Sequence, residues 1–224
     1  MATNCAPSAW GRPESLWPDI LDPVEIVAAE LQARDRDRWL AALYAPAATR
    51  PGLMALFALD AELAQVVATT SEPMLGEIRL AWWRERLEGL DAGQVPAQPL
   101  LQAISTHLLP GISGAALAAL EDRWLGLIGS EAVPPAHVTG GGLLFALAAQ
   151  HLGGDPAAAR ALGEAYAAGD SPPPGRAAAP LRLLKGLAHL AARDAAHARA
   201  GRVREPRGSL ARQWILLKTV ATGR

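Results

Sequence analysis

Three observations on this sequence predict an all-α fold. Alanine and leucine abound while β-branched residues are sparse, a balance that favours helices over strands. Apolar residues recur at three- and four-residue spacing, and no alternating β-branched run is long enough for a strand. Prolines and glycines, several beside a capping Asp or Ser, divide the chain at helix-length intervals. A chain of 224 residues has the length to bury a substantial core. The expectation is a single helical bundle or barrel domain of roughly eight to ten helices.

Residues 1–20 lack periodicity and read as an N-terminal arm, with Trp10 and Trp17 available to dock it on a helical domain spanning 21–224. Asp22 caps the first helix, Pro23 occupies its first position and Glu25 its first turn; it is expected to reach about Gln32. A second begins near Arg36, carries Trp39, Leu40, Leu43 and Tyr44, and stops at Pro46. Pro51 opens a third, with Leu53, Leu56, Phe57, Leu59, Leu63, Val66 and Val67 inward.

The fourth helix, SEPMLGEIRLAWWRERLEGL, has Ser71 as its expected cap and Pro73 in its first turn, and ends between Gly89 and Gly93. Its adjacent Trp82 and Trp83 project about 100° apart, so one faces a core and the other a second helix or a pocket. Further helices are expected over Pro99–Leu109, Gly114–Ile128, His137–Leu152 and Asp155–Ala168. Within Gly114–Ile128 the inward residues are Leu117, Leu120, Trp124 and Leu127; a loop covers Glu131–Ala136, and Gly153-Gly154 makes a turn. The run Ser171-Pro172-Pro173-Pro174-Gly175 breaks the chain most sharply, inside a loop over 170–180. Two basic helices, from Leu181 to about Arg199 and from Ser209 to about Thr222, complete the 181–224 end.

The net charge of −1 hides an asymmetry: residues 1–175 carry 10 Lys+Arg against 20 Asp+Glu, and residues 176–224 carry 11 against 2. The two parts attract each other, or the basic end meets an anionic membrane or partner. On the first basic helix, Arg182, Lys185, His189, Arg193 and His197 form one stripe, suited either to solvent or to a membrane surface. No aromatics interleave with these basic residues, which disfavours nucleic acid.

Cys5 is the sole cysteine, so an internal disulfide framework and a thiolate metal cluster are excluded. The first 17 residues contain no apolar run, and the longest uncharged stretches are broken by Pro, Gly, Gln and His. Neither a signal peptide nor a membrane span is expected there, and the expected location is cytoplasmic. The five histidines show no zinc-site spacing, and no P-loop, GxGxxG or GxSxG context occurs. Among the charges, Glu72, Glu77, Arg79, Arg84 and Glu85 either line a polar pocket or form a solvated helix face, with Arg84 and Glu88 as an i,i+4 pair. Arg50 contacts an anion or caps the turn before Pro51.

Several segments, in order, resemble the squalene and phytoene synthases. They are Arg36…Trp39-Leu40…Tyr44-Ala45-Pro46…Arg50…Leu53…Leu56-Phe57-Ala58-Leu59, then EPMLGEIRLAWWRERLEGL, then HVTGGGLLFALAAQHLGGDPAAARALGEAYA. The resemblance is clear over Asp35–Ala168 and looser beyond. It implies an all-helical isoprenoid synthase fold that joins prenyl diphosphates, using Mg²⁺ held by two aspartate-rich motifs on facing helices. Such chemistry needs hard oxygen ligands to bridge metal and diphosphate.

Here the pattern departs. The family's first aspartates correspond to Ala64, Gln65 and Ala68; the nearby Asp60 and Glu62 are two residues apart and diverge on a helix. The second motif should follow Gly163-Glu164-Ala165-Tyr166, yet the chain continues Ala167-Ala168-Gly169-Asp170 into the proline run. No DxxxD occurs. The EPMLGEIRLxWWRExL form looks more like a divergent branch of the superfamily that includes a mitochondrial factor for assembly of respiratory complex I.

Two readings follow from the resemblance. One is a non-catalytic assembly or binding factor, a pseudoenzyme without metal or other cofactor, with a respiratory complex subunit or a prenyl lipid as partner. It would sit peripherally at the inner face of a membrane. Its candidate ligand contacts are Tyr44, Arg50, Glu72, Glu77, Arg79, Trp82, Trp83 and Arg84. The other is an active Mg²⁺-dependent prenyltransferase on farnesyl or geranylgeranyl diphosphate, with Asp60, Glu62 and Asp170 as substitute metal ligands.

Overall fold

In the computed structural model the described residues are 22–109 and 111–224, and every regular element among them is helical. The arm read over 1–20, with Trp10 and Trp17, lies outside them. Helix α1 (Pro23–Arg34) starts as expected, the Asp22 carboxylate accepting from the Val24 amide at 2.9 Å. Asp35 ends it and caps α2 (Arg36–Leu43) through the Arg38 amide. Helix α3 (Arg50–Thr69) is the centre of the molecule: every residue from Gly52 to Asp60 is buried.

By length and apolar composition α3 also has the character of a membrane span, but α1, α2 and the later helices over Pro73–Asp91, Pro99–His107 and Pro135–His151 surround it here. Its leucines are sealed on all sides, and each contributes about 1.5–3 kcal/mol by leaving water. Of its expected inward set only Val67 is partly exposed.

Helix α4 (Pro73–Asp91) begins one residue later than the Ser71 cap implies; Glu72 holds the cap position and no side chain satisfies the first amides. Trp83 is buried in the core, whereas Trp82 is 41% exposed and meets the Trp83 ring edge-on at 5.1 Å. The rings diverge as the 100° angle requires, but Trp82 faces solvent rather than the second helix or pocket expected for it. Helix α5 (Pro99–His107) follows, capped by the Gln98 side chain.

The continuous helix expected over Gly114–Ile128 is not formed. It is α6 (Gly114–Ala118), a 3₁₀ turn (Ala119–Glu121) and α7 (Asp122–Leu125), and the bend re-aims Arg123 and Trp124 toward α3. Counting that bent segment once gives ten helices among the described residues. Helix α8 (Pro135–His151) starts inside the loop drawn to Ala136, since proline is tolerated at a first helical position.

Helices α8 and α9 (Pro156–Ala168) pack backbone to backbone. A Cβ on Gly163 would lie 2.1 Å from the Gly141 carbonyl oxygen, so only glycine permits this approach. Gly169, at φ +69°, stops α9 in the left-handed conformation. The proline-rich segment that follows is tied down: Ala177 N donates to Gly223 O at 2.8 Å and Lys185 Nζ to Gly175 O at 2.6 Å. Helices α10 (Arg182–Arg199) and α11 (Leu210–Thr222) close the bundle.

The basic stripe of α10 is largely consumed internally. Lys185 is buried, Arg182 donates to Ala177 O and Val220 O, and Arg193 pairs with Glu205. The acidic and basic parts of the chain do attract each other, through Asp35–Arg207 at 2.8 Å and Asp37–Arg212 at 2.8 Å.

Candidate functional site, an arginine-lined cavity

Where α2, α3, α9 and α10 converge, with the 202–212 segment beside them, they line a partly open cavity of about 900 Å³. Small residues make its walls: Ala61, Ala64 and Ala68 from α3, Ala167 and Ala168 from α9, Ala191 from α10. Seven arginines and three aspartates line it as well, so its charge is dominated by guanidinium groups.

Beneath the cavity lies Asp60, with no exposed surface. One carboxylate oxygen accepts from Arg123 Nη1 at 3.0 Å and from Trp124 Nε1 at 2.9 Å; the other lies 2.8 Å from Arg38 Nη2. Burial alone would raise the Asp60 pKa, but Arg123 and Arg38 outweigh it and hold the carboxyl below its usual range. Arg38 is tied further to the Tyr166 hydroxyl, which accepts from Nε at 3.1 Å and Nη2 at 2.9 Å. Burial lowers the Arg38 pKa, yet Tyr166, Asp60 and Asp35 together hold it above its ordinary value. Arg123 is shifted the other way: its loss of solvent exceeds what Asp60 returns.

A second cluster forms the roof. Arg212 is buried and binds Asp37 through Nε and Nη2, and Asp194 through Nη1 at 2.5 Å. Arg204 joins Asp194 and Arg207 joins Asp35. Arg34 pairs with Glu62 at the edge. Arg202 lines the same space and has no carboxylate partner among the described residues.

The residues do not fit a Mg²⁺–diphosphate clamp. Ala64, Gln65 and Ala68 face the cavity from α3, and Ala167, Ala168 and Gly169 face it from α9. These two stretches therefore meet across one space, and none of the six residues supplies a carboxylate. Among the described residues no three His, Cys, Asp or Glu side chains are grouped to hold a metal ion. Of the substitute ligands, Asp60 is spent on two arginines, Glu62 on Arg34, and Asp170 is exposed and does not line the cavity.

The eight candidate contacts read from the sequence lie elsewhere. Tyr44 is 40% exposed, and Arg50 donates to Ala45 O at 3.2 Å, holding the turn before Pro51. Glu72, Glu77 and Arg79 are on the exposed face of α4 beside Trp82, while Trp83 belongs to the core. Arg84 leaves Glu88 and instead pairs with Glu121 and Asp122. None of the eight lines the cavity.

The cavity arginines escaped sequence reading because they come from five separated segments with no shared spacing. The one available signal was the excess of basic residues after Arg176, opposite the Asp35-Arg36-Asp37-Arg38 run.

Comparison with known proteins agrees with the resemblance. The chain is 35% identical over 83 residues to NADH dehydrogenase (ubiquinone) complex I, assembly factor 6 of Homo sapiens, covering 35% of this chain and 25% of that protein. The Bos taurus and Rattus norvegicus proteins of the same description are 32% and 35% identical over the same shares. The match thus spans about a quarter of these relatives' length. No solved structure matches the chain. Residues 31–110, which run from the end of α1 through the twin-tryptophan helix and α5, match the squalene/phytoene synthase family, and the chain is similar to that family there.

Proposed function

We propose that this chain is a non-catalytic binding protein built on a squalene/phytoene-synthase-like helical fold, acting in assembly of a respiratory complex. The observation that carries the reading is the cavity at Ala64, Gln65 and Ala68. The positions that would present carboxylates to metal are small or neutral, and arginines surround them. Guanidinium groups bind phosphate and carboxylate directly, by paired hydrogen bonds and without a bridging cation. The proposed ligand is a prenyl diphosphate or another anionic prenyl lipid, its charged end on the arginines and its chain along the alanine walls. Similarity to complex I assembly factor 6 supports a respiratory subunit as the protein partner. The proposed location is cytoplasmic, peripheral to the inner face of a membrane.

Two measurements test this. Incubation with farnesyl or geranylgeranyl diphosphate and Mg²⁺ is expected to release no diphosphate, whereas thermal stabilisation by the diphosphate is expected in EDTA. A C30 or C40 product would overturn the non-catalytic reading. Deletion of the encoding gene is expected to deplete assembled complex I; normal levels would overturn the assembly role.

A further inference from the structure

We infer that the outer face of α11 docks on an anionic phospholipid surface. Leu210, Trp214 and Leu217 are 82%, 64% and 45% exposed, and with the exposed Ala221 they recur at i, i+4, i+7 and i+11. At 100° per residue these four fall in one narrow stripe. Arg212, Leu216 and Thr219 are buried on the opposite side, against the body of the protein. Among the described residues the stripe is thus an unpartnered apolar face on a helix whose opposite face is buried.

Charge selects the occupant. From Pro206 to Arg224 there is no Asp or Glu. Basic groups stand at both ends of the stripe. The Arg36 side chain packs against Gly208 before the first turn, and Arg176 against Gly223 after the last, with exposed Lys218 between them. None of these three has a carboxylate partner within salt-bridge distance among the described residues. The two acids of the C-terminal region, Asp194 and Glu205, are already held by arginines.

An apolar strip of Leu and Trp with basic flanks and no acid is the chemistry of a helix lying in a lipid headgroup region. The exposed apolar residues of α4 make a useful contrast. Met74, Leu75, Ile78 and Trp82 share their helix with Glu77, Glu85 and Glu88 as well as Arg79, Arg84 and Arg86, so that face carries both signs and lacks the acid-free character of the α11 stripe. This inference specifies the surface behind the peripheral location proposed above and is independent of what the cavity binds.

Co-sedimentation with phosphatidylcholine vesicles, with and without phosphatidylglycerol, tests it. The protein is expected to partition onto the anionic vesicles, and added NaCl should weaken that binding. A Leu210→Glu/Trp214→Glu variant, with unchanged melting because both residues are exposed, should bind at least about tenfold more weakly. Lys218→Glu should reduce binding in the same direction. The idea is overturned by absence of binding to anionic vesicles at low salt, by equal binding to pure phosphatidylcholine, or by wild-type binding in the double variant. A dimer in light scattering that the double variant abolishes would also overturn it, assigning the face to a second copy. Loss of complex I on deletion with no vesicle binding would sink this surface and leave the assembly role standing.

Discussion

Asp60 Oδ1 accepts a hydrogen bond from Arg123 Nη1 at 3.0 Å, joining the centre of α3 to a residue 63 positions later in a site that excludes solvent. The bend between α6 and α7 brings Arg123 there, so an ion pair specifies the local path of the chain. Removing one member leaves buried cations without a counter-charge.

Asp60→Asn should therefore cost about 3–5 kcal/mol of stability, read from urea unfolding. Replacing Asp60, Arg38 and Arg123 together by apolar residues of similar size should recover most of that loss. A triple variant as unstable as Asp60→Asn would show that the charges contribute more than their pairing.

Acid sensitivity should begin with histidine. His137 Nδ1 lies 3.1 Å from the Arg123 carbonyl, so that nitrogen carries the proton, while Nε2 faces the Arg123 guanidinium at 3.4 Å. Burial, and then Arg123, lower its pKa in the fold. The unfolded chain therefore takes up a proton near pH 6.5 that the fold refuses, and stability falls as pH drops through that value, by up to about 1.4 kcal/mol per pH unit for one group. His189, lowered by burial and by Lys185 and Lys218, acts in the same direction. His137→Gln should flatten the loss between pH 7.5 and 5.5; an unchanged slope would remove His137 from the account. The Asp60 contribution is lost only at lower pH, as its carboxyl protonates below the ordinary range near 4.

Close helix packing gives a third expectation. Gly163→Ala sets a methyl against the Gly141 carbonyl and should cost about 3 kcal/mol or more. Gly142→Ala meets the Cγ atoms of Arg160 and Glu164 at 2.9 and 3.0 Å and the Arg160 carbonyl oxygen at 3.2 Å, a milder clash, and should cost less, about 1–2 kcal/mol. Thermal melts of both variants decide whether backbone contact or glycine content as such matters.

Arg202 supplies the cavity with a cation that has no carboxylate partner among the described residues. Arg202→Gln should leave the melting of the free protein unchanged and weaken binding of inorganic pyrophosphate about fivefold in calorimetry. Undiminished binding would take Arg202 out of the site.

Much of the fold was legible because local chemistry decides it. Asp22, Ser113 and Asp155 cap helices where short polar residues precede apolar periods, and Gly169 ends one where a left-handed residue is needed. The bend at Ala119–Glu121 was not legible, since Arg123 and Trp124 gain their partner from α3 rather than from their neighbours. The cavity was half legible. Ala64 and Ala168 were identified as positions lacking carboxylates, but the arginines opposite them are assembled by tertiary contacts between Asp37 and Arg212, 175 residues apart.

The guanidinium lining also fixes an order in which this chain could be converted. A carboxylate installed at Ala64 or Ala68 would enter a space that holds Arg202 without a carboxylate partner among the described residues, and that guanidinium would compete with any metal for it. Building a metal clamp here therefore starts with the arginines and ends with the aspartates; taken in reverse, a new acid would pair with a guanidinium instead of the ion it was meant to hold.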